Sequence, residues 1–411
     1  MKAKHSSGKR LDPVLIRLKT EFSAELSNIL EFWSSSCVDE KYGGFIGTMD
    51  HFGKIVPNAP KGCILNARIL WTFSAAFRMT KTEKYKVLAD RAYAYITDYF
   101  WDNKNGGLFW ELDYLGNPLN AKKQAYAQGF GIYAFSEYYR ATGVEASLEY
   151  AKELYNILDE KFWDYQFTGY FEAMTQDWHE IKDMRLSTKD LNAPKSMNTH
   201  LHILEPLTNL YRVWPVAKLK NSIQSLIQIF THKIYDTKTN HLNLFFTKNW
   251  TSQYQEVSFG HDIEGAWLLN EANMVINDGN LDPALKSVTD KLIEVTIKEG
   301  MDSDGSIFYE RHGSNLDTHK HWWPQAEGLV GFMDAYEQDQ DQEYLDRLVK
   351  LWDFIKINML DKINGEWYWR VDQQNKPVVT ENKAGFWKCP YHNGRAMMEL
   401  IERIDKMKSL S

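Results

Sequence analysis

Asp102-Asn-Lys-Asn-Gly-Gly107-Leu-Phe-Trp110 decides the fold, because it is one of six such stretches. The others are Asp39-Glu-Lys-Tyr-Gly-Gly44-Phe, Asp164-Tyr-Gln-Phe-Thr-Gly169-Tyr-Phe, Asp236-Thr-Lys-Thr-Asn-His241-Leu, Asp302-Ser-Asp-Gly305-Ser-Ile-Phe-Tyr and Asp361-Lys-Ile-Asn-Gly365-Glu-Trp-Tyr-Trp. Successive leading aspartates lie 63, 62, 72, 66 and 59 residues apart, so the copies fill the chain at near-constant spacing. A polar Asp/Asn/Gly turn followed by alternating aromatics reads as a short hairpin.

Between the hairpins the apolar residues recur with a helical period. Each repeat predicts one helix before its hairpin, near 14–36, 82–100, 145–162, 216–234, 282–299 and 342–359. These segments are rich in Lys and Glu, as outer helices with one wet face must be. A second helix follows each hairpin, near 62–79, 123–141, 195–213, 259–274, 322–337 and 391–406. These carry more Gly, Ala and apolar residues, as inner helices packed on both sides would. Twelve helices in alternating pairs predict an all-α fold, an (α/α)6 barrel with short β-hairpins on one face. Closure of the ring explains why neither end shows a polar capping repeat. An open solenoid is the alternative, but hairpin inserts on one side of every repeat are unusual there. The repeat therefore outweighs the several domains that 411 residues alone suggest. We expect one domain over residues 1–411, with residues 1–12 as a flexible tail.

Composition narrows the function. Hydrophobic residues at 44% and charged residues at 25% are the mixture of a globular chain, which excludes disorder. A net charge of −7 without a basic, aromatic-interleaved stretch argues against a nucleic-acid partner. No run of apolar residues is long enough to span a membrane. The polar start MKAKHSSGKRLDP has no apolar signal-peptide core, and the three cysteines make no disulfide framework. A cytoplasmic location is the expectation. Aromatics at 14% suit a groove of flat apolar faces as well as a large core, and sugars bind to such faces.

Polar residues gather where the inner helices begin. In a ring of parallel inner helices these first turns face one another across one mouth, with free N–H groups and partial positive charge. His261 and His392 open the fourth and sixth inner helices. His261 and Glu264 share a helix face, as do Asn198 and His202, whereas His200 points elsewhere and reads as structural. Arg68 lies within the apolar run Ile64-Leu-Asn-Ala-Arg-Ile-Leu-Trp71. It must be paired, for instance with Glu327, or face a polar cavity where it could stabilise an oxyanion. Trp322, Trp323 and Trp387 stand beside these groups and could stack on a ligand. A metal site would need ligands at a spacing such as His-Glu-x-x-His, and none appears, so no metal is expected.

These residues carry a resemblance. The segments KGCILNARILWTFSAAF, KQAYAQGF, KSMNTHLHILE, FGHDIEGAWLL, WWPQAE and WKCPYHNGR resemble the N-acylglucosamine 2-epimerase family, and within it are most like the cellobiose 2-epimerases. The resemblance spans nearly the whole chain and implies an (α/α)6 barrel. It implies reversible C2 epimerisation of the reducing-end glucose of β-1,4-linked disaccharides, converting cellobiose to glucosyl-mannose and lactose to epilactose through a cis-enediolate, without a cofactor. By position it makes His261 and His392 the acid/base pair and Glu264 the carboxylate supporting them. It makes His202 a candidate for ring opening. Arg68, Asn198, Tyr126, Asp190, Trp323 and Trp387 become substrate contacts, with Glu327 counted beside them. The expected partner is a small sugar, and the expected assembly a monomer or weak homodimer. Mannobiose 2-epimerase, N-acylglucosamine 2-epimerase and aldose–ketose isomerase are alternatives on the same fold. An inverting hydrolase would draw its two carboxylates from Glu327, Glu264 and Asp190. A sugar-binding protein without catalysis would have no need of the histidine pair.

Overall fold

The six turns close as expected. Across each one a single antiparallel bridge forms, from Val38↔Phe45 in the first to Leu360↔Trp367 in the sixth. The structure is a computed structural model and describes residues 12–410. Residues 1–11 of the expected tail lie outside the described residues. Asp12 is no tail residue, since its side chain caps the first helix by accepting from the Val14 amide at 2.8 Å.

Twelve α-helices occur among the described residues. The outer ones are α1 (Pro13–Ser36), α3 (Glu83–Tyr95), α5 (Glu145–Ile157), α7 (Ala217–Ile229), α9 (Pro283–Val295) and α11 (Gln342–Asn358). The inner ones are α2 (Cys63–Thr80), α4 (Ala125–Thr142), α6 (Met197–Tyr211), α8 (Phe259–Ile276), α10 (Trp322–Asp339) and α12 (Tyr391–Leu410). Burial follows the sequence pattern. In α7 only Leu219, Ile223, Leu226 and Ile229 are buried, one stripe at helical spacing. In α8 nearly every residue from Phe259 to Ala272 is buried. Helices α3, α5, α7 and α9 each end in a widened π turn, the first at Ile96–Phe100. There the Trp101 amide donates to the Ile96 carbonyl, and the chain turns extended into its hairpin.

Each inner helix packs on the next, α2 on α4, α4 on α6, α6 on α8, α8 on α10 and α10 on α12, and α12 returns to α2. The outer helices pack on this ring, and the fold is an (α/α)6 barrel. The hairpins sew neighbouring repeats together. The two residues before an inner helix pair with the hairpin of the following repeat, as Lys61–Gly62 does with Glu111–Leu112 and Lys195–Ser196 with Phe245–Phe246. The Met49↔Ala384 bridge closes this belt between the last repeat and the first.

A buried lysine locks five of the six turns. Lys61, Lys123, Lys195, Lys320 and Lys383 pair with Asp39, Asp102, Asp164, Asp302 and Asp361, the leading aspartates of the motif, at 2.6–3.0 Å. In the fourth repeat Val257 stands at the lysine position. There His241 is held instead by Asp262 at 2.7 Å. The belt lies at the N-terminal end of the inner helices and walls the mouth of the barrel.

Candidate active site

The first turns of the inner helices surround a cavity of about 660 Å³. Arg68, Tyr126, Asn198, His202, His261, Glu264, Trp323, Trp387 and His392 all line it. Asp190 also lines it, from the loop before α6, where its carboxylate accepts from the Ser187 amide. Glu327 is the exception among the expected residues. It is fully buried behind His392 and does not reach the cavity.

Three imidazoles are anchored through Nδ1. His392 Nδ1–H donates to Glu327 Oε1 at 2.6 Å, and His202 Nδ1–H to Glu205 Oε2 at 3.1 Å. A carboxylate can only accept, so both rings keep Nε2 as a bare base. His261 Nδ1 shares a 2.8 Å hydrogen bond with Ser258 Oγ. Glu264, expected to support the His261–His392 pair, places Oε2 at 3.9 Å from His202 Nε2. Burial, with His202 nearby, pushes His261 down to about 3. Burial and then the Arg68 and Arg395 charges hold His392 well below the usual imidazole range. At neutral pH both rings are uncharged.

Behind them lies a hub that sequence reasoning missed. Arg395, on α12, contacts three carboxylates from three other inner helices: Glu205, Glu264 at 2.9 Å and Glu327 at 2.7 Å. Tyr391 O–H donates to Glu205, and Trp267 Nε1–H to Glu327 at 3.2 Å. One guanidinium cannot offset three dry carboxylates. Burial opposes ionisation of Glu205, yet Arg395 and His202 hold it down at about 2. Burial and then the Glu327 charge push Glu264 well above the carboxylate range. The signal was present in the sequence. Glu205 follows His202 by three residues, the same spacing that drew attention to His261 and Glu264.

Arg68 is not the structural ion pair considered above, because Glu327 pairs with Arg395. Arg68 donates from Nη2 to Tyr126 O–H at 3.0 Å and lies over the Phe130 and Tyr391 rings at 4.3 and 4.7 Å. Its Nε is buried without a partner, as is Asn198 Oδ1. Buried polar atoms left unmatched beside a cavity suit a polyhydroxylated ligand. The Trp323 ring lies 4.6 Å from the ring of His261 and 5.9 Å from that of His392, so it touches both imidazoles. Gly260 permits this, since a Cβ there would come within 2.5 Å of the Trp323 ring. Trp322 lines the cavity too, tilted against Trp369 at 4.7 Å. Tyr309, stacked on His321 at 3.6 Å, completes an aromatic wall. Tyr309 and Trp369 belong to the alternating aromatics of the fifth and sixth hairpins, and hairpin register decides which of them face the cavity. His200 is structural as expected, donating from Nδ1 to the Ser196 carbonyl and accepting from the Tyr170 amide at Nε2.

The geometry is matched by kinship. Residues 44–396 match the family described as N-acylglucosamine 2-epimerase (GlcNAc 2-epimerase). The chain is 47% identical to a cellobiose 2-epimerase of Bacteroides fragilis over 387 residues, 93% of this chain and 98% of that one. The solved cellobiose 2-epimerase of Bacillus thermoamylovorans B4167 superimposes with a TM-score of 0.91 at 39% identity, covering 94% of this chain and 100% of that one. That of Spirochaeta thermophila gives 0.92 at 35%, covering 97% and 100%. No helix among the described residues is long and apolar enough to cross a membrane. On a match spanning most of its length, the chain belongs to the N-acylglucosamine 2-epimerase family.

Proposed function

We propose that the protein epimerises the reducing-end glucose of β-1,4-linked disaccharides at C2, with cellobiose as the reference substrate. The observation that carries this reading is the pair of uncharged imidazoles, buried His392 and half-buried His261, both against Trp323 in one cavity. The kinship with cellobiose 2-epimerases supports the choice of sugar.

The chemistry follows from the sugar. A closed pyranose has no acidic C2 proton, so the ring opens first, by moving a proton between O1 and the ring oxygen. His202 Nε2 is a base suited to that transfer, with its other nitrogen held on Glu205. In the aldehyde C2–H is alpha to a carbonyl. One imidazole removes that proton and leaves a cis-enediolate, whose oxygen charge faces the Arg68 guanidinium. The other imidazole takes a proton from water in the cavity and delivers it to the opposite face of C2, while the first passes the abstracted proton back to water, so that both end uncharged. The roles exchange in the reverse direction. An inverting hydrolase would need two carboxylates flanking the bond. Glu327 stands behind His392 and cannot supply one.

The test is proton NMR of cellobiose with the purified protein in deuterated water. A mannose-type reducing end carrying deuterium at C2 is expected, and its loss in His261→Ala and in His392→Ala. Released glucose would mean hydrolysis, and a ketose product would mean that the proton returns to C1.

A further inference from the structure

We propose that the cavity also binds one divalent transition-metal ion, held by His202, His261 and Glu264, and that the ion excludes the sugar. The ion is an inhibitor here and takes no part in turnover. The binding site stands on geometry alone, whereas the exclusion of sugar rests on the function proposed above.

The three side chains come from α6 and α8, and each lines the cavity. One nitrogen or oxygen of each lies within 4.8 Å of those of the other two, with His202 Nε2 and Glu264 Oε2 at 3.9 Å. Each residue is fixed at its other polar atom. His202 Nδ1 sits on Glu205, His261 Nδ1 on Ser258 and Glu264 Oε1 on Arg395. Metal-bound imidazoles are held in this manner, with the second ring nitrogen on a carboxylate or another oxygen. Glu264 Oε2 is buried without any hydrogen-bond partner and borders the cavity. A buried acceptor with no donor is an unmet demand that a cation satisfies.

The donor set names the class of ion. Two imidazoles and one carboxylate suit Zn²⁺, Co²⁺, Ni²⁺ or Cu²⁺, whereas Mg²⁺ and Ca²⁺ prefer oxygen. Bonds of about 2.0–2.2 Å bring ligand atoms to roughly 3–3.5 Å apart. The His202–Glu264 pair must therefore close by less than about an ångström and the other pairs by up to about 1.8 Å, within reach of side-chain rotations. Water from the cavity would fill the remaining positions. A second triple, Glu264, Glu327 and His392, also comes together. Its Glu327 is already satisfied internally, because His392, Arg395 and Trp267 all bond it.

Chelator-treated protein is titrated with Co²⁺, followed by visible absorption and calorimetry. The expected result is one ion per chain, with the intense visible bands of a four- or five-coordinate site. Both signals should disappear in Glu264→Gln and in His261→Gln, and remain in His392→Gln. His261 is only half-buried, so its replacement leaves a folded chain to test if Glu264→Gln does not fold. Cellobiose should raise the apparent dissociation constant for Co²⁺ in proportion to its concentration. Binding that survives in folded Glu264→Gln or His261→Gln overturns the site, as does the absence of any bound ion. Binding lost in those variants but indifferent to cellobiose overturns the exclusion, and with it the sugar position assumed above. Failure of the sugar to react in the NMR experiment would leave the Co²⁺ result standing.

Discussion

His392 reaches the cavity with one nitrogen because Glu327 holds the other. Glu327 is itself held by Arg395 and Trp267, so the ring has one orientation and one tautomer. Glu327→Gln keeps the shape but offers Nδ1–H a poorer acceptor, and its amide N–H₂ competes for the ring nitrogen. We expect kcat for C2 exchange to fall about 100-fold while KM changes little, the signature of a residue that acts through its neighbour. Steady-state kinetics on folded protein checks this. An unchanged kcat would make Glu327 a packing residue. At this scale the sequence was informative but incomplete. His261, His392, Arg68 and Asn198 were legible because polar groups at the start of apolar helices have few structural uses. The reach of Glu327 was not legible, because an α-helix turns about 100° per residue and the ring geometry decides which side meets the mouth.

Among the elements, α6 shows how a helix and its neighbour accommodate one residue. Pro206 lies inside it and has no N–H, so the carbonyl of His202 four residues earlier is freed. Helix α4 fills the place with Gly129, where a Cβ would stand 2.6 Å from that carbonyl oxygen. Only glycine allows this approach. Gly129→Ala should push α6 away from α4, displacing His202. The expected cost is about 1–3 kcal/mol of stability by urea unfolding, together with reduced turnover. A variant with parental stability and rate would show that the helices part without consequence. The sequence placed both helices within a few residues of their bounds, because apolar periodicity reports which face is buried. It could not show that Gly129 and His202 meet, since they belong to different repeats.

Across the whole molecule, burial of neutral imidazoles makes stability depend on acid. His200 has both nitrogens bonded to backbone and is pushed down, chiefly by burial, to about 3. In the unfolded chain it would take a proton near pH 6.5. Its folded pKa is depressed, so its stabilising share is present above pH 6.5 and is lost as pH falls toward 3. The slope is about 1.4 kcal/mol per pH unit. Glu172 acts in the opposite sense, because burial raises it to about 8. The two are separated by comparison. The stability difference between the parent and His200→Gln should shrink by about 1.4 kcal/mol per pH unit below pH 6. A difference independent of pH in urea titrations would mean that His200 is protonated in the folded chain.

The amino-acid order by itself determined the number of repeats, the inner and outer character of each helix, the hairpin turns and the end of the barrel where chemistry gathers. Those features are local, set by hydrophobic period and turn chemistry within some sixty residues. Tertiary structure alone decided the partners. Arg395 meets carboxylates from three other helices, and His202 comes within 3.9 Å of Glu264. These contacts cross between repeats, where ring closure and helix rotation set distances that no sequence spacing encodes.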